Sequence, residues 1–386
     1  MLRLFDHPLD APIRLRDGTE RAASLDDTWQ QFGPRARRAG ITRIAELTGL
    51  DTLGIPVFAA IRPMARSLST QQGKGLTPAA ARVSALMEGL ETASAERVRG
   101  GVRGSYRALR RRQRVVDVRR LPRPRGRLDL DAPWRWVTGF DLVRAEPVLV
   151  PEQAVTLDTT AHRMVFDISS NGLASGNVHV EAIVHGLCEV LERDAEAAWR
   201  RTGRDRRVVL DSIADPACRG LVDRIAAAGA RVFVWDLASD APLCAIGCAI
   251  VEDPREPAWR PLGVYQGFGA HLVPEIAIAR ALTEAAQTRL TYIAGGRDDF
   301  FPRDYARATD PELVGALWQE FAAPCDEPVA FDDLPRHEPR TLGAALEHLV
   351  AALPEVIVVD LTDRELDVPV VKVIVPGRAT DLEAMG

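Results

Sequence analysis

QGKGLTPAAARVSALMEGLE, residues 72–91, is a glycine-flanked turn that runs straight into a helix, and its reading decides what the rest of the chain has to do. Thr77 is a good N-cap and Pro78 suits the first helical position, so the helix starts immediately after Gly73-Lys74-Gly75. Backbone N–H groups point out of such a start, the glycines let a ligand come close, and Lys74 adds a compact positive charge. The turn therefore suits an anion, although the G-x-x-x-x-G-K-[ST] spacing of a Walker A loop is absent. Within the helix Ser84, Glu88 and Glu91 stand at i, i+4 and i+7 and share one face. Two glutamates three residues apart repel each other, more so if buried. A bound divalent cation reverses that balance; a solvated helix face carrying ordinary glutamates is the competing reading.

The design recurs twice. In SSNGLASGNVHVEAIVHGLCEVLERDA, residues 169–195, a glycine-rich turn ends at Asn177 and a helix runs from about Val178 to Arg200. His185, Glu189, Glu192 and Glu196 lie along one stripe of it, and Ile183, Leu187, Val190 and Leu191 supply its buried side. His185 reads as a packed or hydrogen-bonded histidine, and Glu189 with Arg193 as an i, i+4 pair. In GFGAHLVPEIAIARALTEAAQTRLTYIAGGRDD, residues 267–299, Pro274 opens a helix to about Ala294. Arg280, Glu284 and Gln287 again fall at i, i+4 and i+7, with Arg289 on an adjacent face. Converging carboxylates suit magnesium, which takes oxygen ligands and is commonly shared with nucleotide phosphates. Lysine and arginine then neutralise the remaining phosphate charge.

Composition bounds the alternatives. The chain has 386 residues and ample apolar content for a core, with no apolar run long enough to cross a membrane and no secretory signal in its opening residues. A cytoplasmic protein is expected. Its five cysteines suit neither a disulfide framework nor a zinc site, and Cys244 and Cys248 read as core residues of a strand. A net charge of −5 argues against a nucleic-acid binder, although Arg97–Arg127 is densely basic: a solvated segment, or a docking surface for an acidic peptide or partner. Among 49 basic side chains only Lys74 and Lys372 are lysine, and Asn171 and Asn177 are the only asparagines. Lys372 lies in VPVVKVIV, a strand so apolar that its ammonium must either meet an anion or guard a sheet edge. Strands are also expected over WRWVTGFDLV, EPVLVP, the second half of LVDRIAAAGARVFVWDL, PLCAIGCAIVE and EVIVVDL, and a helix near Thr341–Ala352. These mixed elements lack strict βαβ alternation, which predicts an α+β fold of layered sheets and helices, with residues 1–386 as a single domain.

QGKGLTPAAARVSALMEGLE, SSNGLASGNVHVEAIVHGLCEVLERDA, ARALTEAAQTRL and VVKVIVPG resemble, in order, the successive motifs of the YcaO family. The resemblance implies a layered fold around a central cleft for ATP and magnesium, with a lead-in segment over residues 1–60 and core motifs over 60–377. It implicates Lys74, Ser84, Glu88, Glu91, Glu189, Glu192, Arg193, Glu284, Gln287 and Arg289 in ATP binding, and Lys372 joins them as the second lysine. Glu88, Glu91, Glu189, Glu192 and Glu284 are the expected magnesium ligands. The chain departs from the family at Ala182, where many members have serine, and in the tail VPGRATDLEAMG, which lacks the proline-rich terminus of azoline-forming cyclodehydratases. GITRIAELTGLDTLGIPVFAAIRP is most similar to the branch associated with TfuA proteins. The implied activity is ATP-dependent activation of a peptide backbone amide, giving a thioamide with an external sulfur nucleophile and an azoline with a side-chain one. A nucleotide-binding partner without chemistry of its own and a small-molecule amide ligase are the competing functions. A peptide or protein substrate, a TfuA-like partner supplying sulfur, and a homodimer are expected.

Overall fold

Three strand-to-helix units, each drawn from a different sheet, build the centre of the molecule. The computed structural model describes residues 1–123, 127–160, 165–203, 205–256, 259, 262–325 and 327–378. Residues 124–126 of the basic segment and the tail from residue 379 lie outside the described residues.

The first sheet pairs strands Arg43–Glu46, Val57–Ile61 and Thr70–Lys74 in that order, and the last of them leads into the first site helix, Pro78–Ala95. Thr77 caps it as expected, accepting from Ala80 N–H at 3.2 Å. The second sheet is antiparallel and six-stranded. Its main path runs Glu146–Pro151, Pro133–Asp141, Ile357–Asp360, Val370–Ile374, Leu173–Ser175, and Val102–Ser105 also pairs with Pro133–Asp141. Leu173–Ser175 leads into the second site helix, His179–Thr202. The third sheet pairs Ala230–Asp236, Cys244–Glu252 and Val264–His271, and feeds the third site helix, Pro274–Ala294. The α+β reading holds, with helices layered on antiparallel sheets.

Strand and helix approach closely where glycine permits it. A Cβ on Gly73 would stand 2.0 Å from Ala85 N, and one on Gly267 would stand 2.2 Å from Ala285 N. The first and third units thus repeat one device, strand glycine against helix alanine. Each helix then buries a separate apolar face: Ala85, Leu86 and Leu90 from the first, Ile183, Leu187 and Leu191 from the second, and Ile278, Leu282 and Ala286 from the third. Fully burying such leucines contributes roughly 1.5–3 kcal/mol each, so the faces opposite the core are fixed in direction. Cys244 and Cys248 are buried in their strand as expected, and Cys188 and Cys218 are buried as well.

One expectation changes. Val370–Ile374 is flanked on both sides, by Ile357–Asp360 and Leu173–Ser175, so Lys372 does not guard an edge. Antiparallel pairing inserts the C-terminal strands into the middle of a sheet begun more than two hundred residues earlier, an arrangement no local pattern reveals. The first sixty residues also touch the second site helix. Ala22 N–H donates to Glu181 at 2.8 Å and Thr28 Oγ1 to Asn177 at 2.9 Å, which ties the N-terminal segment to the start of the second site helix. No helix among the described residues is long and apolar enough to cross a membrane.

Candidate active site

The polar stripes of the three site helices turn away from the three apolar faces and meet. Lys74, from the first turn, lies 2.5 Å from Glu284 of the third helix. Arg193, from the second helix, reaches across to Glu284 at 3.6 Å, to Glu192 at 3.8 Å and to Glu196 at 3.0 Å. In place of the Glu189–Arg193 pair expected from i, i+4 spacing, Arg193 pairs with its neighbours Glu192 and Glu196 and with Glu284 of another helix. Gln287 donates to the Gln72 carbonyl at 3.0 Å, which fastens the third helix to the strand carrying the first turn. Ser84 is half-buried and has no hydrogen-bond partner among the described residues.

Electrostatics separates the five glutamates into two kinds. Burial alone raises the carboxyl of Glu284, but the Lys74 ammonium and Arg193 guanidinium outweigh it and hold the group at about 2. The other four are pushed up, chiefly by burial. Glu192, 2% exposed, reaches about 7, with Glu284 and Glu189 adding repulsion. Glu91 is raised further by Glu88 and Glu189, Glu88 by Glu284, and Glu189 by Glu88. These mutual couplings run across all three helices and bring Glu88, Glu91, Glu189, Glu192 and Glu284 into one field. Burial outweighs the cations near Glu88, Glu91, Glu189 and Glu192, so a bound metal ion would stabilise their charged forms. Glu192 Oε2 states the same need geometrically, being buried with no hydrogen-bond partner.

A magnesium ion fits this donor set. Hard oxygen ligands are what it takes, and it is usually held by one or two carboxylates together with phosphates and waters. Among the described residues no group of three acidic or histidine side chains forms a self-sufficient metal cage. Carboxylates spread over three helices around a basic turn therefore suit ions shared with a polyphosphate.

The match to the YcaO family, described as YcaO cyclodehydratase, ATP- and Mg2+-binding, covers residues 72–379. The chain belongs to the YcaO family. An uncharacterized protein of Methanothermobacter thermautotrophicus is 36% identical over 92% of this chain and 94% of its own length. An uncharacterized protein in the tfuA 3′ region of Rhizobium leguminosarum bv. trifolii is 36% identical over 95% of this chain and 90% of its own. The structure of YcaO from Methanopyrus kandleri, bound with AMPPCP and Mg2+, superposes with a TM-score of 0.77 at 26% identity, covering 98% of this chain and 97% of that one. A heterocyclase in complex with substrate and cofactor shares the fold with a TM-score of 0.79 at 22% identity, covering 96% of this chain and 54% of that one.

In this YcaO protein Arg289 pairs with acids from outside the three site helices. Arg289 is 1% exposed and donates to Asp51 at 2.9 Å and Glu252 at 3.2 Å, a buried ion triad. Five residues separate it from Glu284, about 140° further round the helix, so the two point to different sides. Lys372 is buried among strands; burial lowers its amine to about 8 against the attraction of Glu189 and Glu91, and it donates to the Ser169 carbonyl.

Arg280 joins the site without having been singled out as a binding residue. Its guanidinium lies 3.1 Å from His185 Nε2, its Nε is buried without a partner, and it makes no ion pair among the described residues. Its place one turn before Glu284 on the same stripe was the available signal. Because arginine only donates, His185 Nε2 accepts and the ring proton sits on Nδ1. Burial and the cations Arg280, Arg21 and Lys74 keep that ring neutral. Arg21 comes from the N-terminal segment, which shows no pattern pointing there.

Proposed function

We propose that this YcaO protein uses ATP and magnesium to activate a backbone amide of a ribosomally made peptide or protein, and that an external sulfur nucleophile converts that amide to a thioamide. The cluster of buried glutamates raised by burial and by one another, beside a glycine-flanked lysine turn, supports the nucleotide part of the reading. The tfuA 3′ region relative, alike over nearly the whole chain, supports the sulfur part.

In this reading Glu88, Glu91, Glu189, Glu192 and Glu284 hold magnesium, which when bound screens the phosphates and lowers the cost of charge developing on them. Lys74 and Arg193 hold phosphate oxygens, each exchanging part of its contact with Glu284 for the ligand. Ser84 and Gln287 orient the ligand from the first and third helices, and Lys372 supports Glu189 and Glu91 from behind. The chain's work is positioning and charge neutralisation, the main needs of phosphoryl transfer. Arg280 and the Nδ1–H of His185 offer donors beside the cluster, where the activated amide oxygen gains negative charge. We read residues 1–386 as one cytoplasmic unit that works as a homodimer with a TfuA-like sulfur-supplying partner.

A cyclodehydratase is the second reading, favoured by the family's description; a Cys, Ser or Thr side chain of the peptide would then be the nucleophile. Incubation with candidate peptide, ATP, magnesium and sulfide, with and without a TfuA-like partner, separates the two by mass. Exchange of one oxygen for sulfur with phosphate release supports thioamidation, and loss of one water supports cyclodehydration. Phosphate release that never depends on peptide would defeat both.

A further inference from the structure

A cavity of about 50 Å³ lies against Val190 of the second site helix and against Lys372 and Ile374 of the six-stranded sheet. Admitting one water takes about 10–15 Å³ of such volume, so this space suits a small ion. Lys372 belongs both to this lining and to the surroundings of Glu189 and Glu91, which connects the cavity to the glutamate cluster.

The lining is polar at one end. Lys372 is 4% exposed, donates to the Ser169 carbonyl, and makes no ion pair among the described residues, so an ammonium with three N–H bonds is left short of acceptors. Asn171 Oδ1 is buried without a hydrogen-bond partner and belongs to the same lining. The other charged groups are committed or raised. Arg120 donates to the Pro376 carbonyl, and Arg378 is held by Asp194 and Asp240 at 2.7 and 2.8 Å. Asp167 is the acid of the lining, and burial pushes its carboxyl up, away from the charged form. The remaining wall is apolar, including Leu121, Val190 and Ile374. Such a wall favours a polarizable, weakly hydrated monoanion over phosphate or hydroxide.

We propose that this cavity holds the external sulfur nucleophile as hydrosulfide, its sulfur accepting from the Lys372 ammonium and its S–H donating to Asn171 Oδ1. The inference rests on the thioamide reading above and supplies the binding site that reading needs. From there the sulfur adds to the amide carbon as a carbon–sulfur bond forms. The carbonyl oxygen takes the γ-phosphoryl group of ATP, releasing ADP, and the carbon–oxygen bond then breaks. Hydrosulfide, amide and ATP thus become thioamide, ADP and hydrogen phosphate, the sulfur-borne proton ending on phosphate. No redox partner is required.

Bromide, a soft monoanion, serves as a structural probe. Crystals of the full chain soaked in sodium bromide are expected to show anomalous density beside Lys372 Nζ, and Ala154→Leu, which fills part of the cavity, is expected to remove it. No density in the wild type, or density unchanged in that variant, overturns the site. In a thioamide-forming assay Ala154→Leu and Asn171→Leu should each raise KM for sulfide by about tenfold with KM for ATP unchanged, the size of one lost contact to a charged group. Two variants guard against one that fails to fold. Thioamide formed with wild-type KM for sulfide in both variants defeats the cavity and leaves the functional reading intact. Absence of thioamide from the wild type under every condition defeats the reading and the cavity together.

Discussion

Lys74 and Glu284, 210 residues apart, are joined by a 2.5 Å contact that links the first turn to the third site helix. Both side chains are only about one-fifth exposed, so the pair sits largely out of water. Its role is to hold a charged lysine and a charged glutamate ready at one place. Lys74→Met is expected to raise KM for ATP by on the order of ten- to a hundredfold. Wild-type KM in that variant would remove Lys74 from the phosphate site.

Glu192 should make the nucleotide-free protein sensitive to pH. Its carboxyl, pushed up to about 7 by burial, binds a proton more readily in the folded chain than in the unfolded one, where the value is near 4.5. The folding penalty of its charge is absent below about 4.5 and grows as pH rises through about 7. Glu284, held at about 2, behaves oppositely and loses its contribution as pH falls from about 4.5 towards 2. Thermal unfolding between these limits should show stability falling towards neutral pH, a slope that Glu192→Gln flattens. The same variant should be folded, more stable at pH 7, and devoid of peptide-dependent phosphate release. A slope identical to wild type would show that another group titrates.

Arg289 is expected to matter for folding and not for nucleotide. Arg289→Met strands Asp51 and Glu252 in a buried place and should cost about 3–5 kcal/mol, read as a lower denaturant midpoint. The folded fraction should keep its KM for ATP. A large rise in that constant with little loss of stability would return Arg289 to the binding site.

Lys372 carries a penalty of the opposite sign to Glu192. Burial lowers its amine from 10.5 to about 8, so the folded chain is disfavoured below about 8 and relieved as pH rises towards 10.5. Denaturation between pH 7 and 10 should show stability rising in the wild type, and the rise should vanish in Lys372→Met. Persistence of the rise in that variant would mean that another group titrates.

Arg110, Arg111 and Arg112 are all exposed. Replacing the three by glutamine should leave stability within about 0.5 kcal/mol and KM for ATP unchanged, while weakening binding of an acidic peptide. Equal peptide affinity would make the segment an ordinary solvated surface.

The sequence by itself determined the three helices and the stripe each presents, because periodicity is local: Glu88 with Glu91, Glu189 with Glu192, and Glu284 with Gln287 are placed by rise and turn alone. It also determined the glycine-flanked start at Lys74, since Thr77 and Pro78 leave little choice of helix boundary. Tertiary structure decided which stripes meet and with what partners. Arg193 had a glutamate four residues away and reached across to another helix, because apolar faces buried in three separate cores fix how the helices lie. Arg289 followed the same helix as Glu284 yet turned to a buried acid from residue 51, a partner no spacing could name. Lys372 became an interior lysine because distant strands flank it on both sides. Local spacing fixes which face a side chain occupies, and only long-range packing fixes what stands opposite.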